Sequence, residues 1–426
     1  MSRLADALKS RRQRLAKLID FPVLLRSGDP KSRNFPANTY PFRASSHFLY
    51  FAGLSLPKAA IRIEGDRLTL FLDDPNPSSA LWHGELPTRD QIAAEIGADD
   101  AYPLSEVANY AAVSDDSEFM NAIVQLRLIH DESAIAEIRK AVSVTVEAHR
   151  TGMQTTLKAQ KESQIRAAME GVILAHNMTC AYNSIVTVQG EVLHNEHYHH
   201  AIAPSDLILA DVGAETESGW ASDVTRTWSA SRKFSPTQKA VYEIVLAAHD
   251  RAIDKIRPGV EYRDIHLLAC KTLAEGLIDL GILRGNAADL VDQDAHALFF
   301  PHGIGHLLGL DVHDMEDLGD LAGYETGRSR SSRFGLGYLR LDRPLRAGMI
   351  VTIEPGFYQV PAILNDPERR EKYRDVVNWD RLARFADVRG IRIEDDVLVT
   401  VNGSEVLSAA LPTDPSLVES IVEQGS

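Results

Sequence analysis

Five residues of this chain have the types and spacing that metal-dependent hydrolysis would need. They are four carboxylates and one imidazole: Asp211, Asp223, His306, Glu354 and Glu394. Each carboxylate belongs to a predicted strand, and the histidine lies in a glycine-rich segment. Buried carboxylates repel one another and cost several kcal/mol each to desolvate unless a cation lies between them. If these side chains converge, a pair of divalent metal ions and metal-assisted hydrolysis would explain them.

The two aspartates lie on opposite arms of a predicted hairpin, Asp206–Gly213 and Trp220–Ser229. Its segment LILADVGAETESGWASDVTRTWS alternates apolar and polar residues around a Glu-Ser-Gly turn. Facing residues of an antiparallel pair have Cβ atoms about 4.5–5.5 Å apart. We therefore predict that Asp211 and Asp223 face each other and need a bridging cation. The alternative is two aspartates that are solvated separately.

The segment PHGIGHLLGLDVHD, residues 301–314, carries three histidines interleaved with glycines. Such glycines let the backbone approach a ligand closely. One neutral imidazole among carboxylates suits Mn, Co, Fe or Zn better than Ca or Mg. With His306 as the ligand, His302 and His313 are predicted to be hydrogen-bond donors or proton carriers.

Two glutamates complete the predicted site. Glu354 ends an apolar strand in MIVTIEPGFY and would be buried without a partner unless it binds a metal or pairs. In GIRIEDDVLVT, Arg392 and Glu394 alternate with isoleucines and share one face of a strand. Glu394 is therefore predicted to be an internal ligand with Arg392 beside it. Asp395 and Asp396 are predicted to lie at the rim or exterior.

The elements that position these residues indicate an α+β protein of two domains. A chain of 426 residues exceeds the roughly 250–300 residues at which one core stops growing. We predict an N-terminal α/β domain, residues 1–129, and a catalytic domain, residues 130–426. A long amphipathic helix over His130–Met153, capped by Ser133, opens the second domain. Helices grouped against antiparallel strand pairs favour α+β, and the two halves of this domain have a similar element order that indicates pseudo-symmetry.

The remaining elements follow from apolar periodicity and turn residues. Strands are predicted at Phe21–Leu25, Phe48–Phe51, Ala59–Ile63, Leu68–Leu72, Ala181–Val188, Met349–Glu354 and Gly390–Val399. Helices are predicted at Thr88–Ile96, Leu104–Ala112, Ser163–His176, Pro236–Arg257 and Asp264–Leu280. Met315–Phe334 and Gln359–Arg389 are predicted to be long loops beside the site.

Composition and charge restrict the partners. The net charge is −15, and an acidic surface repels phosphate backbones, which argues against nucleic acid. Cys180 and Cys270 are far apart and fit a reducing cytosol as small core residues. The N-terminal segment has no continuous apolar stretch of a secretory signal, and no run of 18 apolar residues occurs. We expect a cytoplasmic protein without a nucleic-acid or membrane partner.

Five motifs, in order, resemble the pita-bread metallopeptidases of the aminopeptidase P and prolidase branch, over nearly the whole chain. They are AYNSIV, DVGAETESGWASDVTRT, HGIGHLLGLDVHD, VTIEPGFY and GIRIEDDV. The resemblance implies a pseudo-symmetric pita-bread catalytic domain behind the N-terminal domain of that branch. It also implies that the five residues named first hold two divalent metal ions per subunit, with Asp223 and Glu394 bridging both. Mn²⁺ is the usual metal of this branch; Co²⁺, Zn²⁺ and Fe²⁺ stay open.

The resemblance assigns further roles around the metals. His194, His302 and His313 match pocket histidines that contact substrate or the tetrahedral intermediate. Arg392 matches an arginine that supports the site, and Tyr358 matches a tyrosine that we take as a substrate contact.

Other matches bear on substrate length and assembly. Arg340 matches an arginine that binds the free carboxylate of a dipeptide in prolidases, and residues 362–389 resemble a prolidase insertion. Trp82 matches a tryptophan that lines a neighbouring subunit's pocket in aminopeptidase P. The chain departs from the pattern at Asn195, where tyrosine is common, and in an Asp–Asp spacing one residue longer than usual.

The implied function is cleavage of the Xaa-Pro bond at the N-terminus of peptides, by a homodimer or homotetramer. A metal-bridged hydroxide would attack the carbonyl, His302 or His313 would stabilise the oxyanion, and Glu354 would carry the proton to the proline nitrogen. One alternative is an Xaa-Pro dipeptidase, with Arg340 binding the carboxylate. A non-catalytic binding scaffold, a creatinase and a methionine aminopeptidase fit less well, since all five ligands and an N-terminal domain are present.

Overall fold

The computed structural model of the chain describes residues 3–112 and 116–425. Its backbone divides into two compact units, one up to Glu137 together with Glu217–Trp220, and one of Ile138–Thr216 and Ala221–Ser426. The predicted domain boundary at 129/130 stays a prediction. Across the described ranges, none of the helices has the length and hydropathy that a bilayer-spanning helix needs.

The first unit contains a four-stranded mixed sheet in the order β1–β4–β5–β6, in which only β5–β6 is parallel. The strands of this unit are β1 Val23–Arg26, β2 Ser32–Phe35, β3 Asn38–Thr39, β4 Ala60–Glu64, β5 Arg67–Phe71 and β6 Asp100–Tyr102. The helices are α1 Arg3–Leu15, α2 Ser46–Ala52, α3 Ala80–His83, α4 Arg89–Ile96 and α5 Ser117–Arg127.

One strand prediction in the first unit is wrong. The apolar run Phe48–Phe51 is part of helix α2, not a strand. Every residue of that run is buried, and a short continuous apolar run has no period that separates a buried helix from a buried strand. The helix predicted at Leu104–Ala112 is present as a shorter 3₁₀-helix, Leu104–Asn109.

Helix α6, Glu132–Thr155, is the long helix that the apolar period predicted. Its cap is Asp131 and not Ser133, because the Ala134 N–H donates to Asp131 Oδ1 at 2.9 Å. The same carboxylate accepts from Arg11 Nε at 2.8 Å. Asp131 therefore satisfies the helix N-terminus and neutralises a buried guanidinium at once.

The second unit packs helices against short antiparallel sheets. Its strands are β7 Thr179–Cys180, β8 Ile185–Thr187, β9 Leu207–Asp211, β10 Ala214–Glu215, β11 Thr225–Ser229, β12 Ile350–Ile353, β13 Gly356–Tyr358, β14 Gly390–Arg392, β15 Asp395–Val399 and β16 Ser404–Val406. Its helices after α6 are α7 Glu162–Ala175, α8 Pro236–Lys255, α9 Tyr262–Asp279, α10 Ala287–Asp292, α11 Asp320–Gly323, α12 Pro361–Leu364, α13 Pro367–Lys372, α14 Trp379–Leu382 and α15 Pro415–Glu423.

Two three-stranded sheets, β11–β9–β8 and β12–β15–β16, carry the acidic residues predicted for the site. The predicted strand Gly390–Val399 is interrupted. β14 pairs with β13, and β15 pairs with β12, so the two-stranded ribbon is broken where Glu354–Pro355 lies opposite Ile393–Glu394. Proline has no N–H for a ladder bond, which accounts for a break at this point. The break brings both glutamates to one place.

Other predicted segments are shorter or more structured than expected. Of Ala181–Val188, only Ile185–Thr187 is a strand. The predicted loop Gln359–Arg389 contains α12, α13 and α14, and Met315–Phe334 contains α11. These segments lack a sustained apolar repeat of 3.6 residues, so their short helices depend on tertiary packing and could not be predicted from periodicity.

Candidate active site

The hairpin brings the two aspartates together, but not in the predicted register. Asp211 ends β9 and pairs with Thr225, whereas Asp223 lies two residues before β11 begins. Their carboxylates meet at the Tyr182 hydroxyl, which is 2.5 Å from Asp211 Oδ1 and 2.6 Å from Asp223 Oδ1. One hydroxyl has one proton and can satisfy only one of these oxygens at a time. The second carboxylate needs another positive partner.

The broken ribbon places Glu354 and Glu394 beside this pair. The Glu394 backbone N–H donates to the Thr225 carbonyl at 3.0 Å, and its Oε2 accepts from Thr225 Oγ1 at 2.7 Å. The Glu354 N–H donates to the Ile304 carbonyl at 2.8 Å, which ties the strand end to the histidine-bearing segment. Thr225 therefore links the hairpin to the ribbon.

His306 presents an unprotonated nitrogen to two carboxylates. Its Nδ1 lies 3.0 Å from the Leu307 carbonyl, which can only accept, so Nδ1 carries the proton of the neutral ring. Burial lowers the pKa of His306 and keeps the ring neutral. Its Nε2 then points a lone pair at Asp223 Oδ2, 3.4 Å away, and at Glu354 Oε1, 3.7 Å away. The imidazole nitrogen and the two carboxylate oxygens thus direct lone pairs at one another, an arrangement that a cation between them would stabilise.

A close approach of backbone makes this arrangement possible. Gly305 has φ +155°, and a Cβ built there would come within 2.2 Å of the Thr352 carbonyl oxygen and 2.4 Å of the Tyr262 hydroxyl oxygen. Only glycine fits this contact. It holds the His306 segment against β12, so that His306 reaches the acids.

The acids show the electrostatic strain that a cation would relieve. Burial and then the Asp211 charge raise the pKa of Asp223 well above its ordinary value. Burial and then Asp223 do the same to the pKa of Glu394. Burial raises the pKa of Glu354 to about 7. Asp223, His306 and Glu394 each offer one ligand atom within 4.8 Å of the others, so the residues present fit a metal centre.

Asp395 and Asp396 are not at the rim or exterior, and that prediction is wrong. They are 2% and 0% exposed, because β15 is the central strand of its sheet. Asp395 pairs with Arg226 Nη2 at 2.7 Å. Asp396 Oδ2 accepts from the Asp223 N–H at 3.1 Å, so it positions the backbone of a predicted ligand.

A hydrogen-bonded relay fixes His302. The His302 Nδ1–H donates to the Gly303 carbonyl at 2.8 Å, so its Nε2 accepts from the Tyr358 hydroxyl, 2.9 Å away. The same hydroxyl accepts from Arg392 Nη1 at 3.1 Å. Burial, then Arg392, lowers the pKa of His302 to about 3. Arg392 Nη2 donates in turn to Asp211 Oδ2 at 2.6 Å. Arg392 therefore joins the relay to the predicted metal ligands.

Tyr358 lies behind the site wall. It is 0% exposed, and its hydroxyl is occupied by His302 and Arg392. In this structure Tyr358 therefore supports His302, and its predicted role as a substrate contact stays a prediction.

Three residues of the site were not predicted from the sequence. Tyr182 and Thr225 lie inside motifs whose aspartates drew attention first. Glu316 binds His313 Nδ1 through Oε2 at 2.7 Å and contacts Arg340 Nη1 through Oε1. An acid three residues after a histidine, as in HDME, was the available signal. The hydrogen bond with His313 lowers the pKa of Glu316 to about 2, and the Arg340 charge adds to this effect, whereas partial burial opposes it.

These groups surround a cavity of about 450 Å³. Its lining contains all five predicted metal ligands and the predicted His194, His302, His313, Arg340 and Arg392. His194 is an exposed member of this lining. Leu193, Pro301, Tyr338 and Ile363 add an apolar part to the wall. The arrangement combines a metal-binding floor with a partly apolar chamber of the size that small ligands occupy.

Comparison with known proteins places the chain in a family. Residues 136–401 match the description "Metallopeptidase family M24", and residues 8–118 match "Aminopeptidase P, N-terminal domain". The chain belongs to metallopeptidase family M24. It is therefore a metallopeptidase that requires divalent metal ions, and the resemblance drawn from the five motifs is confirmed.

Relatives of known structure confirm the fold as well. The chain is 32% identical over 418 residues to a probable Xaa-Pro aminopeptidase of Talaromyces stipitatus, covering 88% of this chain and 87% of the relative. The Pseudomonas aeruginosa aminopeptidase PepP has a TM-score of 0.80 and 27% identity over 99% of this chain and 98% of its own. Escherichia coli aminopeptidase P with the inhibitor Pro-Leu has a TM-score of 0.83 and 25% identity, covering 100% of this chain and 99% of its own. An N-terminal domain followed by an M24 pita-bread catalytic domain is thus the fold of this metallopeptidase.

Proposed function

We propose that this metallopeptidase is an Xaa-Pro aminopeptidase that removes the first residue of peptides whose second residue is proline. The observation that carries the proposal is the convergence of acids and His306 on the floor of the 450 Å³ cavity. The relatives are named Xaa-Pro aminopeptidase and aminopeptidase P, which supports the same substrate class. A binding scaffold would not need this convergence of buried acids.

Five residues of this chain would hold two divalent metal ions, with Mn²⁺ as the proposed metal. They are Asp211, Asp223, His306, Glu354 and Glu394. The set of carboxylates with one imidazole is the donor chemistry that Mn²⁺ accepts. Such ions would polarise the scissile carbonyl and lower the pKa of a water nucleophile. An Escherichia coli aminopeptidase P is described as zinc-substituted, which supports a divalent site without identifying the metal here.

We assign His313 the contact with the reacting carbonyl oxygen. Its Nδ1 is held by Glu316, so Nε2 is the ring nitrogen left for a substrate. Burial and then His306 lower the pKa of His313, and the Glu316 carboxylate opposes this shift. Paired with Glu316, an imidazolium formed during the reaction would donate its Nε2–H to an oxyanion. His302 has both nitrogens engaged by Gly303 and Tyr358, so it shapes the wall.

Glu354 is the proposed proton carrier to the proline nitrogen. Its Oε1 lies 3.7 Å from His306 Nε2 at the metal-binding floor, and a carboxylate in this position can accept a proton from a water nucleophile and return it to the leaving nitrogen. The leaving nitrogen of an Xaa-Pro bond has no N–H, so the site cannot select it by a hydrogen bond from that atom. The apolar wall of Leu193, Pro301, Tyr338 and Ile363 supplies selectivity for the ring by shape.

The position of Arg340 favours peptides over dipeptides. Its guanidinium contacts the Glu316 carboxylate, which neutralises the positive charge with which a dipeptide carboxylate would otherwise pair. Capture of that carboxylate would have to compete with an ion pair that is already formed. The dipeptidase alternative is therefore not favoured.

Peptide length tests the proposal. We expect the Mn²⁺-loaded enzyme to cleave Gly-Pro-Pro and longer Xaa-Pro peptides with a higher kcat/KM than Gly-Pro. Arg340→Met should change this ratio by less than tenfold, and Arg330→Met, an exposed arginine paired with Asp320, serves as the matched control. Cleavage confined to Gly-Pro, and lost in Arg340→Met alone, would establish the dipeptidase instead.

We further propose a cytoplasmic homodimer or homotetramer. In the first unit, Leu81 and Trp82 are 80% and 78% exposed next to each other. Large aromatic and aliphatic side chains of this kind are typical of subunit interfaces. Sedimentation equilibrium of wild type and Trp82→Ala measures the assembly; a monomer in both would contradict it.

A further inference from the structure

A second cluster of metal-ligating side chains lies in the catalytic unit outside the cavity lining. His266 and Cys270 are one helical turn apart on α9, and His296 lies in the 3₁₀-turn Ala295–Leu298. The three residues are 0%, 0% and 2% exposed. One donor atom from each lies within 4.8 Å of the others, and Cys270 Sγ is 3.9 Å from His266 Nδ1.

His296 is an unusual histidine for a protein interior. Among the described residues, neither of its ring nitrogens has a partner of normal hydrogen-bond geometry. The Leu290 carbonyl accepts a looser hydrogen bond, which can satisfy one of the two nitrogens at most. A buried polar group without a partner costs about 1–3 kcal/mol. A satisfied core histidine, the ordinary explanation, would have such a partner. The nitrogen therefore needs a ligand that a protein group does not supply.

The surroundings leave a lone pair on each histidine, which favours a cation. The His266 Nε2–H donates to the Gly335 carbonyl at 2.9 Å, so the lone pair of this neutral ring is on Nδ1. A Cβ built on Gly335 would lie 2.8 Å from both His296 Nε2 and Asp294 Oδ1. Burial raises the pKa of Cys270 and lowers that of His296 to about 3, and Asp294, which is paired with Arg333 Nη2 at 2.9 Å, contributes less to either pKa. Gly335 closes the cluster on one side without filling it.

We propose that His266, Cys270 and His296 form a structural binding site for a soft transition-metal cation of the Zn²⁺ class. This site goes beyond the proposed peptidase function and does not depend on it. One thiolate and two imidazoles are zinc ligands, with Zn–S near 2.3 Å and Zn–N near 2.0–2.1 Å. Donor atoms in such a tetrahedron are about 3.3–3.8 Å apart, so the cluster needs only a small contraction.

Binding has a defined proton balance. The Cys270 thiol, whose pKa burial raises well above its ordinary value, loses its proton to solvent as the metal–sulfur bond forms, and the neutral imidazoles bind through lone pairs. No oxidant or reductant takes part. Because the ligands are buried, the metal enters while the chain folds.

The site supports the catalytic wall from behind. The Phe300 ring is 5.8 Å from the His266 ring and 4.7 Å from the His302 ring, centroid to centroid. A metal that fixes His266 would thus fix the aromatic side chain on which His302 rests. This is a positioning role and not a catalytic one.

Cobalt spectroscopy tests the site separately from the peptidase. The cavity floor contains no sulfur ligand, so a near-ultraviolet thiolate-to-cobalt charge-transfer band can come only from a cysteine. We expect the band in protein expressed with Co²⁺, and also in Cys180→Ser, which removes the other cysteine. It should be absent from Cys270→Ser and reduced at least tenfold in His296→Gln. Absence from wild type, or persistence in Cys270→Ser, would overturn the proposal.

A second measurement covers the case in which the variants fold poorly. X-ray absorption of wild-type protein expressed with Zn²⁺ should show a sulfur shell at about 2.3 Å, with an average of about one third of a sulfur per zinc because only one of the three bound ions has the Cys270 ligand. A shell of oxygen and nitrogen alone would refute the site. Xaa-Pro cleavage by the same samples is measured in parallel, so failure of this proposal and failure of the peptidase assignment are distinguishable.

Discussion

Glu394 and Asp395 are neighbours in the chain, both buried, and they belong to two different electrostatic regions. Glu394 faces the cavity with Asp223, and burial followed by that charge raises its pKa. Asp395 faces the Arg226 cluster, which we define as Arg226, His249, Asp395 and Ser408. Burial acts to raise the pKa of Asp395, but Arg226 and His249 lower it overall. Adjacent acids thus have opposite shifts because strand residues alternate between faces.

The difference shows how to recognise a metal centre among buried acids. In the Arg226 cluster, Asp395 Oδ1 is 2.7 Å from Arg226 Nη2 and 2.5 Å from Ser408 Oγ, so its charge is already satisfied. On the cavity side, acids meet acids, and the one neighbouring guanidinium we find in the lining beyond Arg340 is that of Arg392. Paired acids stabilise the fold, whereas acids that converge without enough cations call for metal ions.

Asp223→Ala should have the largest effect, because it removes an acid shared by the whole cavity floor. We expect bound Mn²⁺ to fall below one ion per chain and Xaa-Pro cleavage to fall to background, measured by elemental analysis and peptide assay. Asp317→Ala, an exposed acid of the Glu316–Leu318 turn, is the control and should keep both. An active Asp223→Ala protein would contradict the assignment of the cavity acids as metal ligands.

Asp395→Asn should affect stability and not metal content. Breaking a buried ion pair leaves Arg226 unpaired and costs about 3–5 kcal/mol in the free energy of unfolding. The control Glu405→Gln breaks an exposed pair with Arg139, 44% exposed on each side, and should cost at most about 1 kcal/mol. Urea unfolding and metal analysis measure both. Loss of metal in Asp395→Asn would mean that Asp395 also contributes to the metal centre, and would contradict the distinction between the cavity acids and the Arg226 cluster.

The cost of Tyr182→Phe in the free energy of unfolding should differ between the metal-free and the metal-bound protein. The hydroxyl lies between Asp211 and Asp223, so its removal after chelation leaves two facing carboxylates and costs about 1–3 kcal/mol. With Mn²⁺ bound, the cation takes over that neutralisation and the cost should be smaller. Thermal unfolding with EDTA and with Mn²⁺ gives the two values, and equal costs would contradict this reading.

Asp131→Asn extends the comparison to the first unit and predicts the smallest effect. Burial acts to raise the pKa of Asp131, but hydrogen bonds and charge from Arg11 lower it overall. A lowered folded pKa means that its stabilisation is present above the unfolded value of about 3.9 and is lost as pH falls through the folded value. Asp131→Asn should therefore cost about 1–2 kcal/mol at pH 7 and nearly nothing near pH 2.

Urea titrations at both pH values measure the Asp131 effect, and wild type and Asp131→Asn are compared at each. A cost that does not change with pH would mean that the charge of Asp131 contributes nothing beyond its hydrogen bond to Ala134.

The chemistry of this protein could be predicted from its amino-acid sequence. Residue types and order identified the acids, His306 and the family, because a metal centre requires particular donor atoms and these do not depend on side-chain orientation. The apolar periods also identified the long helices α6, α8 and α9, since a 3.6-residue repeat persists over many turns.

The face on which each side chain lies depends on the folded chain and could not be predicted from local sequence. Asp395 and Asp396 were predicted at the surface and are buried, Tyr358 supports the wall from behind, and Glu316 holds both His313 and Arg340. β15 is the central strand of its sheet and is covered on both faces, so Asp395 and Asp396 are buried although they point to opposite sides. Local sequence shows that strand residues alternate between faces, but it does not show which elements cover each face.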